Sequence, residues 1–337
     1  MDEAAMIYKV LEGYDFKINN FEKVRSAYKI ETDKGSFCLK RIKHGKNKAK
    51  NGERLVQELR NAGFNNTAVY YKTKNDMYFV KFKNYLFYVT DWIEGEECDL
   101  DSLEEVCNCV RLLASFHIAS NTINKRELKI RNNIKNWPKI FNSNQNDLER
   151  FKRKIEKKKL KTEFDELYYS HVDNFINRGM VALNFLNTSD YYRISKEADK
   201  KKTICHDSFY YQNLIKKQDQ YYIIDLDSII YDLHITDLGK LIRRLMFKSC
   251  YMWNFEYAEE IINAYNSINK LSKEELEVML ALIVYPHKFW KLGKKRYVKS
   301  KNWDEAKYMH KLSKLIKYDV QEQKFMENYL VFLEGYK

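Results

Sequence analysis

The feature that most constrains this chain is a change of periodicity at Glu94-Gly95. Before it, short alternating or aromatic runs read as strands: Tyr28 to Glu31, Ser36 to Ile42, Met77 to Phe82 and Tyr85 to Trp92. Asp33-Lys34-Gly35 and Lys83-Asn84 supply the turns of two hairpins. One helical stretch, Asn51 to Ala62, interrupts the strands and is closed by Gly63, where a left-handed cap suits glycine. After the change the periods are helical. Asp101 is read as the cap of a helix whose third residue is Glu104, along which Leu103, Val106, Val110, Leu113, Ala114 and His117 share a face. Ser272 and Glu275 form a second capping box ahead of Leu276, Met279, Leu280, Ile283 and Val284. A single β interval lies among the helices: Asn213-Leu214-Ile215 and Tyr221 to Ile224 around the polar turn Lys217 to Gln220.

The pattern predicts an α+β chain with two lobes. Residues 1–93 form a small antiparallel sheet with one helix, and residues 94–337 form a large helical lobe carrying one hairpin segment at 204–227. With 45% apolar residues the 337-residue chain can bury a core, and ten glycines and two prolines are too few for an all-β sandwich or a repeat array. Asp2 and Glu3 precede any apolar stretch, unlike a signal peptide, and no apolar run approaches the roughly 20 residues of a membrane span. The reading is therefore a soluble protein made inside the cell. Its six cysteines lack a C-x-x-C pair, so neither a zinc site nor a disulfide framework is indicated.

The excess charge of +13 is concentrated. Lys125 to Lys161 holds 14 basic and 4 acidic residues, and Lys288 to Lys317 holds 11 and 2. Such stretches attract polyanions or line a solvated helix face, and no nucleic-acid motif accompanies them.

The chemistry is carried by the segment from His206-Asp207-Ser208 through Asn213 to Ile224-Asp225-Leu226-Asp227. A loop entering one arm of the hairpin presents Asn213 and the end of the other arm presents Asp225, an amide oxygen and a carboxylate suited to Mg²⁺ beneath a nucleotide. Phe37-Cys38-Leu39-Lys40 ends an apolar strand on a lysine, the setting of a phosphate-binding lysine, for which Glu53 is the first partner acid and Glu58 the second.

These residues, together with Thr90-Asp91-Trp92-Ile93-Glu94-Gly95, Leu113 to His117, Asp237-Leu238-Gly239-Lys240 and Tyr285 to Lys291, resemble the CotS family of spore coat proteins. That family is similar in turn to aminoglycoside and choline phosphotransferases. The resemblance implies a bilobal protein-kinase-like fold, ATP and Mg²⁺ as cofactors, and synthesis in the mother cell followed by deposition in the spore coat. It implies other coat proteins as partners, with a nucleotide or small molecule as ligand.

Two departures set the functional expectation. Active relatives carry His-x-Asp-x-x-x-x-Asn, but counting back from Asn213 places Ser208 at the base position and leaves the carboxylate at Asp207. A serine hydroxyl is too weak a base near neutral pH. The segment Ile18 to Ile30, where the first two strands meet, contains no glycine to bring backbone amides close to phosphates. The expectation is a coat protein of little or no phosphotransferase activity and weak ATP affinity. The alternative is an active small-molecule kinase using Asp207 as a displaced base. His206 is expected to orient the loop through a backbone contact, while His117, His287 and Trp290 are read as structural.

Overall fold

The computed structural model describes residues 3–42, 45 and 47–336. They form two compact units, Met1–Asn132 with Lys202–Tyr231, and Asn133–Lys201 with Asp232–Lys337.

In the first unit α1 (Glu3–Leu11) precedes the hairpin strands β1 (Ile18–Val24), β2 (Ala27–Thr32) and β3 (Gly35–Ile42). Then come α2 (Asn47–Asn61), β4 (Tyr70–Tyr71), β5 (Val80–Phe82), β6 (Tyr85–Asp91), β7 (Glu96–Glu97), α3 (Leu103–Thr122) and β8 (Arg131–Asn132). The main sheet is antiparallel in the order β1-β2-β3-β6-β4, with β5 paired to β6. Strand alternation gives it two working faces. Tyr28, Ile30, Leu39, Phe87 and Val89 pack with Ile7, Val10 and Leu11 of α1 on one face. Leu86, Tyr88 and Ile42 pack with Ala49 of α2 on the other. Lys40 falls on this second face because it is one residue out of phase with Leu39.

The unit is completed by β9 (Ile204–Cys205), a 3-10 turn at Tyr211–Asn213, β10 (Leu214–Lys217), β11 (Gln220–Ile223) and β12 (Ile230–Tyr231). The strands β7, β10 and β11 form one small sheet, and β8, β12 and β9 another.

Element boundaries depart from the sequence reading most clearly in four places. A helix, α1, occupies the N-terminus, and its short apolar face carries too few repeats to stand out by periodicity. The run Met77 to Phe82 is a strand only from Val80. Helix α2 starts at Asn47, through a polar first turn with no hydrophobic signal. Ser102, not Asp101, caps α3: its hydroxyl accepts the Glu105 N–H at 3.4 Å. The Asp101 N–H instead donates to the Asp99 carboxylate at 2.8 Å. Gly63 closes α2 with φ +85, as its position demands.

The second unit is helical: α4 (Trp137–Glu156), α5 (Glu163–Thr188), α6 (Tyr191–Lys201), α7 (Ile235–Met246), α8 (Phe255–Asn266), α9 (Lys273–Val284), α10 (His287–Tyr297), α11 (Glu305–Ile316) and α12 (Asp319–Gly335). The Ser272–Glu275 capping box at α9 is formed in both directions. Stacked rings fill the centre. Phe289 lies 4.1 Å from Tyr168 and 3.9 Å from Phe175, and Tyr285 lies 4.1 Å from Phe141, between ring centroids. Trp290 donates its indole N–H to Asp147 at 3.0 Å. The Tyr285 to Lys291 motif thus anchors α10 in the core. Gly293 permits this approach, since a Cβ there would overlap the Tyr168 hydroxyl and the Phe151 ring.

Candidate active site

Lys40 stands opposite Tyr88 in the β3–β6 register, on the face toward α2. Its ammonium is in direct contact with Asp225 Oδ1 and lies 3.9 Å from Asp227 Oδ2. A second ammonium, that of Lys48 in the first turn of α2, lies 3.6 Å from Asp227 Oδ1. The Tyr88 hydroxyl donates to Asp227 Oδ2 at 3.3 Å. The side chains of Lys40, Asp225 and Asp227 are 18%, 27% and 7% exposed, so water screens this group poorly. Two carboxylates and two ammoniums give the cluster a formal charge of zero.

The two acids are not equivalent. Burial pushes both carboxyls up, but at Asp225 the Lys40 ammonium outweighs it and holds the carboxyl below its usual range. At Asp227 burial and the neighbouring Asp225 charge prevail and hold it above that range. Asp225 follows β11 with φ 65, a left-handed conformation that aspartate tolerates better than most residues.

The loop before the hairpin is fixed by His206, which is fully buried. Its Nδ1 accepts the Ser208 N–H at 3.2 Å, so its Nε2 carries the proton donated to the Ile224 carbonyl at 2.9 Å. Asn213 Nδ2 donates to the Ser208 carbonyl at 2.9 Å, which leaves its amide oxygen for a cation. Between these anchors Asp207 takes φ 64 and reverses the chain. Its carboxylate accepts from the Arg131 guanidinium at 3.2 Å. Ser208, Asn213, Asp225 and Lys40 line one cavity of about 340 Å³, and Asp207 is not among its lining residues.

Lys40 and Glu53 do not pair. Glu53 Oε2 is buried without a hydrogen-bond partner, and the Lys40 ammonium is taken by the hairpin carboxylates. Glu58 accepts the Asn124 N–H at 3.2 Å. The glycine-free segment forms a tight hairpin in which Val24 pairs with Ala27 across Arg25-Ser26. Arg25, at φ 55, donates to Glu97 at 2.7 Å and lies 5.4 Å from the Tyr211 ring centroid. A two-residue turn is too short to offer a run of amides to phosphates.

Sequence reasoning missed Asp227, Lys48 and Arg131. The alternation Asp225-Leu226-Asp227 was a signal for the first. Lys48 was hidden because its turn of α2 has no apolar period, and Arg131 because its pairing spans 76 residues.

The donor set fits a hard cation and a nucleotide. The Asn213 amide oxygen and the carboxylates of Asp225 and Asp227 are oxygen ligands of the kind Mg²⁺ takes. The cavity is also walled by Ala27, Ile93, Ile215 and Ile223, and its volume is in the range of small-molecule sites.

Comparisons with known proteins bear on the fold and the family. A solved aminoglycoside phosphotransferase from Alicyclobacillus acidocaldarius superposes with a TM-score of 0.86 at 18% identity, covering 97% of this chain and 96% of that one. Amicoumacin kinase hAmiN, solved with AMP-PNP and Ca²⁺, gives 0.65 at 13% identity over 96% and 94%. Spectinomycin phosphotransferase APH(9)-Ia, solved with ADP and spectinomycin, gives 0.63 at 14% over 96% and 98%. The fold is kinase-like, as the family resemblance implied, with the small antiparallel sheet N-terminal and the helices mainly C-terminal, as the periodicity predicted. Spore coat protein S of Bacillus subtilis is 24% identical over 332 residues, 96% of this chain and 94% of the relative. Residues 7–329 match the family described as spore coat putative kinase YutH, and the chain belongs to that family of spore coat proteins with a kinase-like fold.

Proposed function

We propose that this chain is made in the mother cell, is deposited in the spore coat beside other coat proteins, and binds ATP and Mg²⁺ feebly while transferring little or no phosphate. The observation that carries the reading is the division of labour at the loop. Ser208 faces the cavity, and the Asp207 carboxylate is held by Arg131 outside its lining.

In this reading Lys40 is the phosphate-binding residue, and Asn213 and Asp225 are the metal ligands. Mg²⁺, when bound, would neutralise charge on the transferring phosphoryl group. Lys40 would have to leave Asp225 to reach a phosphate, so binding must break an ion pair that is already largely removed from water. Glu53 makes no ion pair with Lys40 in this arrangement, and its Oε2 is buried without a hydrogen-bond partner. Ser208 itself is too weak a base to take the proton of an acceptor hydroxyl near neutral pH.

The alternative, an active small-molecule phosphotransferase, draws on the retained Asn213 and Asp225 and requires Asp207 to leave Arg131 and act as base. The two separate in a transfer assay with ATP, Mg²⁺ and a panel of amino sugars, choline-like alcohols and hydroxy amino acids. No transfer is expected from wild type, and Asp207→Ala should change nothing. Steady transfer by wild type that disappears in Asp207→Ala and in Asp225→Ala would establish the alternative. Ser208→Asp should restore weak turnover, since a general base is worth about 10²- to 10⁴-fold.

A further inference from the structure

The second basic stretch of the sequence is folded inward upon itself. Lys288, Lys291 and Lys295 are spaced three and four apart on α10, and Lys311 and Lys314 three apart on α11, so each set shares a helix face. All five line one cavity of about 390 Å³ whose walls include Phe247, Leu292 and Leu315, with His310 beside them. The three apolar walls are buried.

Other cations of the same helix are matched. Lys294 stands 3.8 Å from Asp147 and Arg296 2.7 Å from Glu305. Among the described residues no carboxylate lies within 4.0 Å of any of the five cavity lysines. Three of them have aromatic faces instead. The Lys288 ammonium sits 3.6 Å from the Phe247 centroid, and those of Lys295 and Lys311 sit 4.6 and 5.4 Å from Trp303. The repulsion registers on the groups themselves. Burial, with Arg243 and Lys314 nearby, pushes Lys288 down to about 7. Burial and surrounding cations also lower Lys291 and Lys295. The acid near Lys288, Glu322, is itself bonded to Arg178.

We propose that this cavity binds a compact anion bearing two or three phosphoryl groups. Ammonium groups are point charges without the planar fork that favours carboxylates, and several of them approaching from two helices suit tetrahedral phosphoryl oxygens. The apolar walls lower the local dielectric and strengthen each contact. The site shares no residue with the nucleotide cavity, and its occupation does not depend on the kinase reading.

The test is titration calorimetry of the full chain with inorganic pyrophosphate and tripolyphosphate, ionic strength being held constant with chloride. One saturable site is expected, weakened at least about tenfold in Lys291→Gln/Lys314→Gln, because charge-assisted hydrogen bonds are lost. Both residues are exposed, so the fold should survive, as circular dichroism would verify. Binding should persist in Lys157→Gln/Lys159→Gln, which removes equal charge elsewhere, and in Lys40→Ala, which disables the nucleotide cavity. Equal weakening by the 157/159 pair, loss in Lys40→Ala, heats that follow ionic strength alone, or citrate binding as tightly as pyrophosphate would each overturn the proposal.

Discussion

Two cavities of this chain treat positive charge in opposite ways. In the first unit Lys40 and Lys48 meet Asp225 and Asp227, and the cluster is neutral before any ligand arrives. In the second unit five lysines share a cavity whose lining, among the described residues, includes no carboxylate. A balanced cluster is satisfied alone and must give up an internal ion pair to bind anything charged. An unbalanced cluster is held at a cost in repulsion and is relieved by an anion. Kinase-like architecture therefore does not by itself identify the stronger ligand site of a molecule.

The contrast can be broken first at Lys40. Lys40→Met removes one partner of a mostly buried pair and leaves two carboxylates facing Lys48 alone. Unfolding free energy should fall by about 2–4 kcal/mol, toward the lower end for buried pairs because some exposure remains. The same change should make the cleft a better cation site. Millimolar Mn²⁺ should then raise the melting temperature of Lys40→Met more than that of wild type. Equal Mn²⁺ responses would mean that Lys40 does not satisfy the acids.

A smaller effect of opposite sign is expected at Lys288. Its folded pKa of about 7 lies below the ordinary 10.5, so between these values the unfolded chain binds more protons and stability rises with pH. Lys288→Met should stabilise the chain by about 1–3 kcal/mol at pH 7, after allowance for partial exposure. The gain should shrink toward pH 10.5, where the lysine is becoming neutral in both states. A destabilised Lys288→Met at pH 7 would show that its stacking on Phe247 outweighs the repulsion.

Local chemistry made much of this legible in the sequence. The strand periods around Leu39 and Phe87, the glycine at the end of α2 and the capping box at Ser272 each act within a few residues, and each stands as read. The loop was legible for the same reason, because Asn213 follows Ser208 by only five positions and the spacing leaves little freedom. What escaped was long-range or apolar-poor. Lys48 enters the cluster through a polar helical turn, and the choice of Lys40 for Asp225 over Glu53 is decided by folding that brings residues 185 apart into contact. The charge of Lys288 to Lys317 was countable, but periodicity alone could not tell a solvated face from lysines gathered around a cavity.

The most direct test of the balanced cleft is thermal unfolding with ATP and Mg²⁺ in the Lys291→Gln/Lys314→Gln chain, where any hold of the lysine cavity on the triphosphate is weakened. A ligand at 100 times its Kd stabilises by about 2.7 kcal/mol. With the Lys40–Asp225 pair to be broken and no glycine loop over the phosphates, millimolar ATP with Mg²⁺ should stabilise by well under that amount, and by less again in Asp225→Ala. A gain above about 2.7 kcal/mol from 100 μM ATP, abolished by Asp225→Ala, would reveal affinity near or below micromolar and contradict a cleft satisfied by its own charges.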